Sequence, residues 1–198
     1  MRNKLNGEHK PIGHVRIIAG QWRGRQLAFP ESLALRPSPD RVRETLFNWL
    51  MPVICGARCL DLFAGSGAFG FEALSRGARE VVFVDKTPDT VQALKENAQV
   101  LNASIGQQAH IHQMEVTHFL EKHPNTGANF DIIFLDPPFR LGLVTPCLVE
   151  LTKAGYTPTY CYIETERDCP PITVPEGWVL HREIQAGQVW GRLYRSGS

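Results

Sequence analysis

The chain has 198 residues, 43% of them apolar, and a formal net charge of +1, enough for one sizeable core with an extension. No run approaches the roughly 20 apolar residues of a membrane helix, and residues 1–14 are expected to be a flexible tail without the apolar stretch of a signal peptide. Five cysteines, Cys55, Cys59, Cys147, Cys161 and Cys169, are odd in number and lack CxxC spacing, so reduced thiols in a cytoplasmic protein are expected rather than disulfides or a zinc site.

Charge is placed unevenly. Residues 1–50 hold nine Lys or Arg against four Asp or Glu, and residues 51–198 hold twelve against sixteen. The basic surplus at the front predicts a phosphate-contacting segment over 15–50, ahead of a body over 51–198 with a different task. A merely solvated charged face is the alternative. No histidine pair shows HxxxH or HExxH spacing, and His110 and His112 are expected to be structural; no metal is expected.

In chain order, Val15–Ile18 reads as a strand and Gln21-Trp22-Arg23-Gly24-Arg25 as a turn into a second strand over Gln26–Phe29. In Arg36-Pro37-Ser38-Pro39-Asp40, Ser38 suits a helix N-cap, Pro39 the first turn and Asp40 the positive end of the dipole. Val42, Leu46, Trp49 and Leu50 then share one helical face. From Cys59 strands and helices alternate. Strands are expected over Cys59–Phe63, Val81–Val84, His110–Met114, Asp131–Leu135 and Thr159–Glu164. Helices are expected over Ala68–Ser75, from Thr87 through Leu101, over Thr117–Lys122 and over Pro146–Lys153. This is the rhythm of an α/β fold with a parallel sheet covered on both faces. Trp178–Gln185 and Gln188–Tyr194, joined at Ala186-Gly187, predict a closing antiparallel hairpin.

Two motifs fall at the carboxyl edge of that sheet, where open α/β folds bind ligands. The first is Asp61-Leu62-Phe63-Ala64-Gly65-Ser66-Gly67-Ala68-Phe69-Gly70. Its glycines permit a tight turn and close ligand approach at a helix N-terminus. The Gly65, Gly67 and Gly70 spacing also fits a dinucleotide fingerprint, and Asp85 would accept ribose hydroxyls under either reading. Asp61 favours a cationic ligand, because a carboxylate just upstream would repel a pyrophosphate but attract an ammonium and a sulfonium. S-adenosylmethionine is therefore preferred to a nicotinamide cofactor, and to a glycine turn with no ligand.

The second motif is Asp136-Pro137-Pro138-Phe139. Two prolines fix the backbone, presenting the Asp136 carboxylate and the Pro137 carbonyl as acceptors beside Phe139 as a stacking plate. An exocyclic amine on a flat base offers the matching donors. Held between fixed acceptors, its lone pair is aimed at a donor methyl, which is catalysis by positioning and prearranged dipoles. Such a base must be unstacked. A rigid turn with a capping Asp is the bland alternative.

These residues, together with Arg16–Arg25, Arg36–Phe47 and the closing hairpin, resemble the bacterial 16S rRNA (guanine(966)-N2)-methyltransferase family over nearly the whole chain after the first dozen residues. The tetrad alone is shared with DNA amino-methyltransferases; the two N-terminal blocks are the specific part. The resemblance implies a Rossmann-like seven-stranded class I methyltransferase sheet with an N-terminal β-hairpin and helix. It implies S-adenosyl-L-methionine as donor and 16S rRNA, within an assembled or assembling small subunit, as acceptor. A monomer is expected. The catalytic residues would be Asp136, Pro137 and Phe139. The cofactor would be held by Asp61, Phe63, Ala64, Gly65, Ser66, Gly67, Gly70, Asp85, Lys86 and Glu115. RNA would meet Arg16, Trp22, Arg23, Arg25, Arg36, Arg41 and Arg43. Three positions depart from the pattern: Asp85 stands where many relatives carry Glu, Glu115 where they often carry Asp or Asn, and Phe69 where Leu is commoner. The rival readings are a DNA adenine-N6 or cytosine-N4 methyltransferase, which would usually need a recognition domain that 198 residues leave little room for, and a non-catalytic rRNA-binding assembly factor.

Overall fold

The computed structural model describes residues 12–30 and 38–197. Arg36 and most of the expected tail lie outside the described residues. The first strand, β1 (Ile12–Arg16), begins inside the expected tail. It pairs antiparallel with β2 (Gln26–Pro30), Val15 opposite Leu27. Helix α1 (Asp40–Leu50) follows. The body then runs β3 (Arg58–Leu62), α2 (Ala68–Ser75), β4 (Glu80–Asp85), α3 (Pro88–Val100), β5 (Ala109–Gln113), α4 (Val116–Lys122), β6 (Ile132–Leu135), α5 (Val144–Lys153), β7 (Tyr160–Glu166), β8 (Trp178–Ala186) and β9 (Val189–Ser196).

The main sheet has seven strands in the order β5-β4-β3-β6-β7-β9-β8. The first five are mutually parallel, and β9 slots antiparallel between β7 and β8. Strands β3, β4, β6 and β7 are buried on both faces, which explains their apolar runs, whereas the edge strand β5 is mostly half-buried. Side-chain alternation splits the core in two. Cys59, Ile132, Phe134 and Tyr162 face a cluster built with the hairpin, α1, α2 and α3. Leu60, Leu62, Ile133, Leu135 and Ile163 face a second cluster built with α4 and α5.

The N-terminal hairpin is docked on α2 through buried polar contacts as well as apolar ones. Glu72 accepts the backbone N–H groups of Ile18 and Ala19 at 2.7 and 3.0 Å. Ser75 accepts the Gln21 N–H at its carbonyl, at 2.8 Å, and the Trp22 N–H at its hydroxyl, at 3.0 Å. Gly20 has φ +83°, and a Cβ there would lie 1.9 Å from the Ser75 carbonyl oxygen, so only glycine lets the hairpin seat this closely.

Helix α1 corrects one expectation and extends another. Ser38 is not its cap: Pro39 occupies that position and no side chain caps the helix. The expected face is buried at Val42, Leu46 and Leu50, with Trp49 half-buried against the same core, and it also takes in Arg43 and Phe47.

Candidate active site

Strand pairing gathers three carboxylic acids on one face of the sheet. Asp61 on β3 lies beside Phe134 of β6, and Leu135 of β6 lies beside Ile163 of β7. Since side chains alternate, Asp61, Asp136 just past β6, and Glu164 on β7 all project from the face that Phe134 and Tyr162 occupy.

The glycine loop links β3 to α2. Gly65 and Gly67 take positive φ, and so does Phe63 (φ 63°). A left-handed bulky residue is strained, and such strain persists where surrounding structure enforces it, typically at ligand sites. Asp61 is buried and its Oδ2 accepts the Gly70 N–H at 2.9 Å. A Cβ on Gly70 would lie 2.2 Å from the Phe83 ring, so that glycine is required by packing against the sheet. Burial pushes the Asp61 carboxyl up to about 8; the Gly70 bond pulls against this and the Asp85 charge adds to it. Asp85, half-buried at the end of β4, accepts the Gly65 N–H at 3.0 Å and the Thr87 N–H at 2.8 Å.

Two amides that a pyrophosphate would seek in this loop are thus already bonded to carboxylates. That arrangement fits a ligand carrying positive charge and hydroxyls, and disfavours a dinucleotide. Ala64 and Ser66 are buried within the loop. Glu115, before α4, and Lys86, after β4, are both exposed and pair at 3.1 Å. The expected cofactor residues are therefore brought to one edge of the sheet, at the ends of β3, β4 and β5.

Asp136 leaves the adjacent strand β6. Its Oδ2 lies 3.4 Å from the Ser38 hydroxyl, which sits 2.7 Å from Glu164 Oε1. Tyr162 donates its phenol to Glu164 Oε2 at 2.8 Å. The Asp136 carboxyl is raised well above the usual range, first by burial, then by the charges of Glu164 and Asp61, with the Ser38 contact opposing. Glu164 is raised by burial, against the bonds from Ser38 and Tyr162 and the Arg43 charge. Pro137 is buried, while Phe139 is 37% exposed and leaves its ring available for stacking.

The expected basic residues divide. Arg23 and Arg25 are exposed on the hairpin turn, where Trp22 is half-buried with its backbone N–H on Ser75, and Arg41 is exposed on α1. Arg16 is exposed and pairs with Asp40 at 3.2 Å. Arg43 corrects the expectation of RNA contact: it is fully buried, donating to the Arg16 carbonyl at 2.9 Å and to Asp40 at 2.6 Å, so its guanidinium ties α1 to the hairpin.

Sequence reasoning missed Ser38, Glu72 and Glu164 as polar hubs. For Glu164 a signal existed: an acid closing an apolar strand at the same sheet edge as Asp136. Among the described residues no group of three or more His, Cys, Asp or Glu is placed to hold a metal, and no helix is long and apolar enough to cross a membrane.

Residues 15–195 match the family described as conserved hypothetical protein 95. The Haemophilus influenzae protein named ribosomal RNA small subunit methyltransferase D is 47% identical over 93% of this chain and 95% of its own. Its Escherichia coli namesake is 46% identical over 94% of this chain and 92% of its own. The solved structure of Escherichia coli yhhF superposes with a TM-score of 0.81 at 45% identity, covering 94% of this chain and 100% of that one. The chain belongs to the conserved hypothetical protein 95 family, together with the ribosomal RNA small subunit methyltransferase D proteins.

Proposed function

We propose that this protein transfers a methyl group from S-adenosylmethionine to the exocyclic N2 of a guanine in 16S rRNA, guanine 966 by family resemblance. It would act as a cytoplasmic monomer on an assembled or assembling small subunit. The observation that carries the reading is Asp136, held at the sheet edge with one carboxylate oxygen toward Ser38 and beside the acid-lined glycine loop. Family membership points the same way, since the relatives are named small-subunit rRNA methyltransferases. Free cysteines fit a reducing compartment.

When bound, S-adenosylmethionine supplies an electrophilic methyl group. The chain's own residues do the rest. Asp61, Asp85 and the glycine loop bind and orient the donor, with Glu115 and Lys86 at its rim. Asp136 and the Pro137 carbonyl accept the amine's hydrogens, and Phe139 stacks on the base. Arg23, Arg25, Arg41 and Arg16 meet phosphates. Residues 15–50 form the RNA-contacting extension and residues 51–198 the methyl-transferring body.

Single-turnover methyl transfer to small-subunit rRNA tests this. If Asp136 chiefly orients the amine, Asp136→Asn keeps measurable activity and Asp136→Ala loses nearly all, because the amine then faces an unpaired pocket. If Asp136 must instead take the proton in the transition state, rather than after the methyl has moved, both fall together by about 10²–10⁴-fold. Phe139→Ala lowers the rate through lost stacking, worth about 1–3 kcal/mol, with donor affinity unchanged. Full activity in Asp136→Ala, or transfer to duplex DNA and not to rRNA, overturns the assignment.

A further inference from the structure

We propose that Glu164, acting through the Ser38 hydroxyl, is a positioning residue that prepares Asp136 to receive the proton released by the methylated amine. This inference rests on the proposed methyl transfer.

The geometry is a short chain from two buried residues to the half-buried Asp136. Glu164 is 2% exposed and Ser38 3%. Ser38 stands 2.7 Å from Glu164 and 3.4 Å from Asp136. A hydroxyl has one proton to donate. Donated to Glu164, it leaves the Ser38 oxygen as an acceptor facing Asp136 Oδ2. That acceptor is satisfied only when Asp136 itself carries a proton. When Asp136 is ionised, the hydroxyl turns to it, and Glu164 keeps its bond from Tyr162. Both protonation states of Asp136 are therefore accommodated without moving the backbone.

Other charged groups face the pair from neighbouring elements. Asp61 on β3 raises Asp136, and Arg43 on α1 lowers Glu164. Glu164 itself raises Asp136, making it a better proton acceptor. A buried acid is a costly way to fill space, and leucine would serve packing better. Strand β9 protects the arrangement. Gly191 lies opposite Glu164 in the register, and a Cβ there would come within 2.3 Å of the Tyr162 hydroxyl.

The step balances as follows. The amine nitrogen forms a bond to the methyl carbon while the carbon–sulfur bond breaks, its electron pair going to sulfur. The nitrogen then passes one proton to Asp136, whose new O–H donates to Ser38.

The test is the pH dependence of single-turnover methyl transfer to small-subunit rRNA. Activity falls on the acid side as Asp136 becomes protonated. Glu164→Gln removes the charge and keeps the shape, and this acid limb should move down by about one pH unit, the lower end of the effect of a nearby charge. Donor affinity should not change. Ser38→Ala removes a hydroxyl that serves both states of Asp136 but holds the ionised one more strongly, through a charge-assisted bond, so the limb should move up, and Ser38→Thr should restore the original profile. Should Glu164→Gln fail to fold, the Ser38 pair decides the matter. An unmoved limb in the folded variants, or a Ser38→Thr profile matching Ser38→Ala, overturns the proposal while methyl transfer stands. Absence of transfer by the unsubstituted protein sinks both.

Discussion

Glu72, wholly buried on α2, accepts the backbone N–H of Ile18 at 2.7 Å, 54 residues away in the chain. Its other oxygen serves Ala19 and Arg76, at 3.0 and 2.6 Å. The carboxylate is thus the joint between the basic hairpin and the body. Glu72→Ala leaves two amides and a guanidinium without their partner and should cost about 3–5 kcal/mol, as for breaking a buried ion pair. Urea unfolding measures the loss, and amide exchange at Ile18 and Ala19 locates it. An unchanged midpoint would show that apolar contacts alone hold the hairpin.

Asp61 sets a pH dependence. Its folded carboxyl titrates near 8, whereas in the unfolded chain it does so near the ordinary value of about 3.9. Between these values the folded state holds a proton that the unfolded state has released, so stability falls as pH rises through the window. Asp61→Asn removes this slope and should stabilise the ligand-free protein more at pH 8 than at pH 5. Equal shifts in urea midpoint at both pH values would refute it. The same variant should weaken S-adenosylmethionine binding, since it removes the acid that a cationic ligand would ionise.

Asp85 is expected to bind ribose hydroxyls while holding the Gly65 and Thr87 amides. Asp85→Ala should cost about 1.5–3 kcal/mol of donor affinity, as for hydrogen bonds to charged groups. Titration calorimetry reads the dissociation constant directly; no change in it would remove Asp85 from the donor site.

Arg23 and Arg25 are exposed on a turn whose backbone is anchored at Ser75. Replacing both with alanine should weaken RNA binding and flatten the slope of log K against log salt by about 0.7 per lost contact on single-stranded RNA. Donor affinity should stay constant. Arg43→Ala, in contrast, should show its effect in thermal stability. A salt slope unaltered by the double substitution would mean that the turn does not touch phosphate.

Local signals in the sequence were legible. Helix α2 falls at Ala68–Ser75 as expected, because a glycine turn starts it and Gly77 ends it. The closing hairpin is legible from two alternating runs, and the five parallel strands from apolar or alternating runs and their punctuation, with ends displaced by a few residues. What escaped was long-range polar pairing. Ser38 reads locally as a helix cap, yet its partners lie 98 and 126 residues ahead. Arg43 reads as one of a basic series, yet its place on the helix turns it inward. Capping and charge patterning are short-range rules, and the fold spends these side chains on contacts that only the completed sheet creates.

The order of the sheet has a further consequence. Strand β9 lies between β7 and β8, so among the described residues β8 pairs in the sheet with β9 alone. A lesion in β9 would undock two strands at once, uncover the edge of β7, and release the glycine wall behind the Tyr162 phenol. Damage near the carboxyl end would then register as loss of the chemistry proposed for Asp136, while the RNA contact proposed for the hairpin would persist. A protease nick after Gly187 should therefore leave a protein that still binds its substrate and competes for it without modifying it.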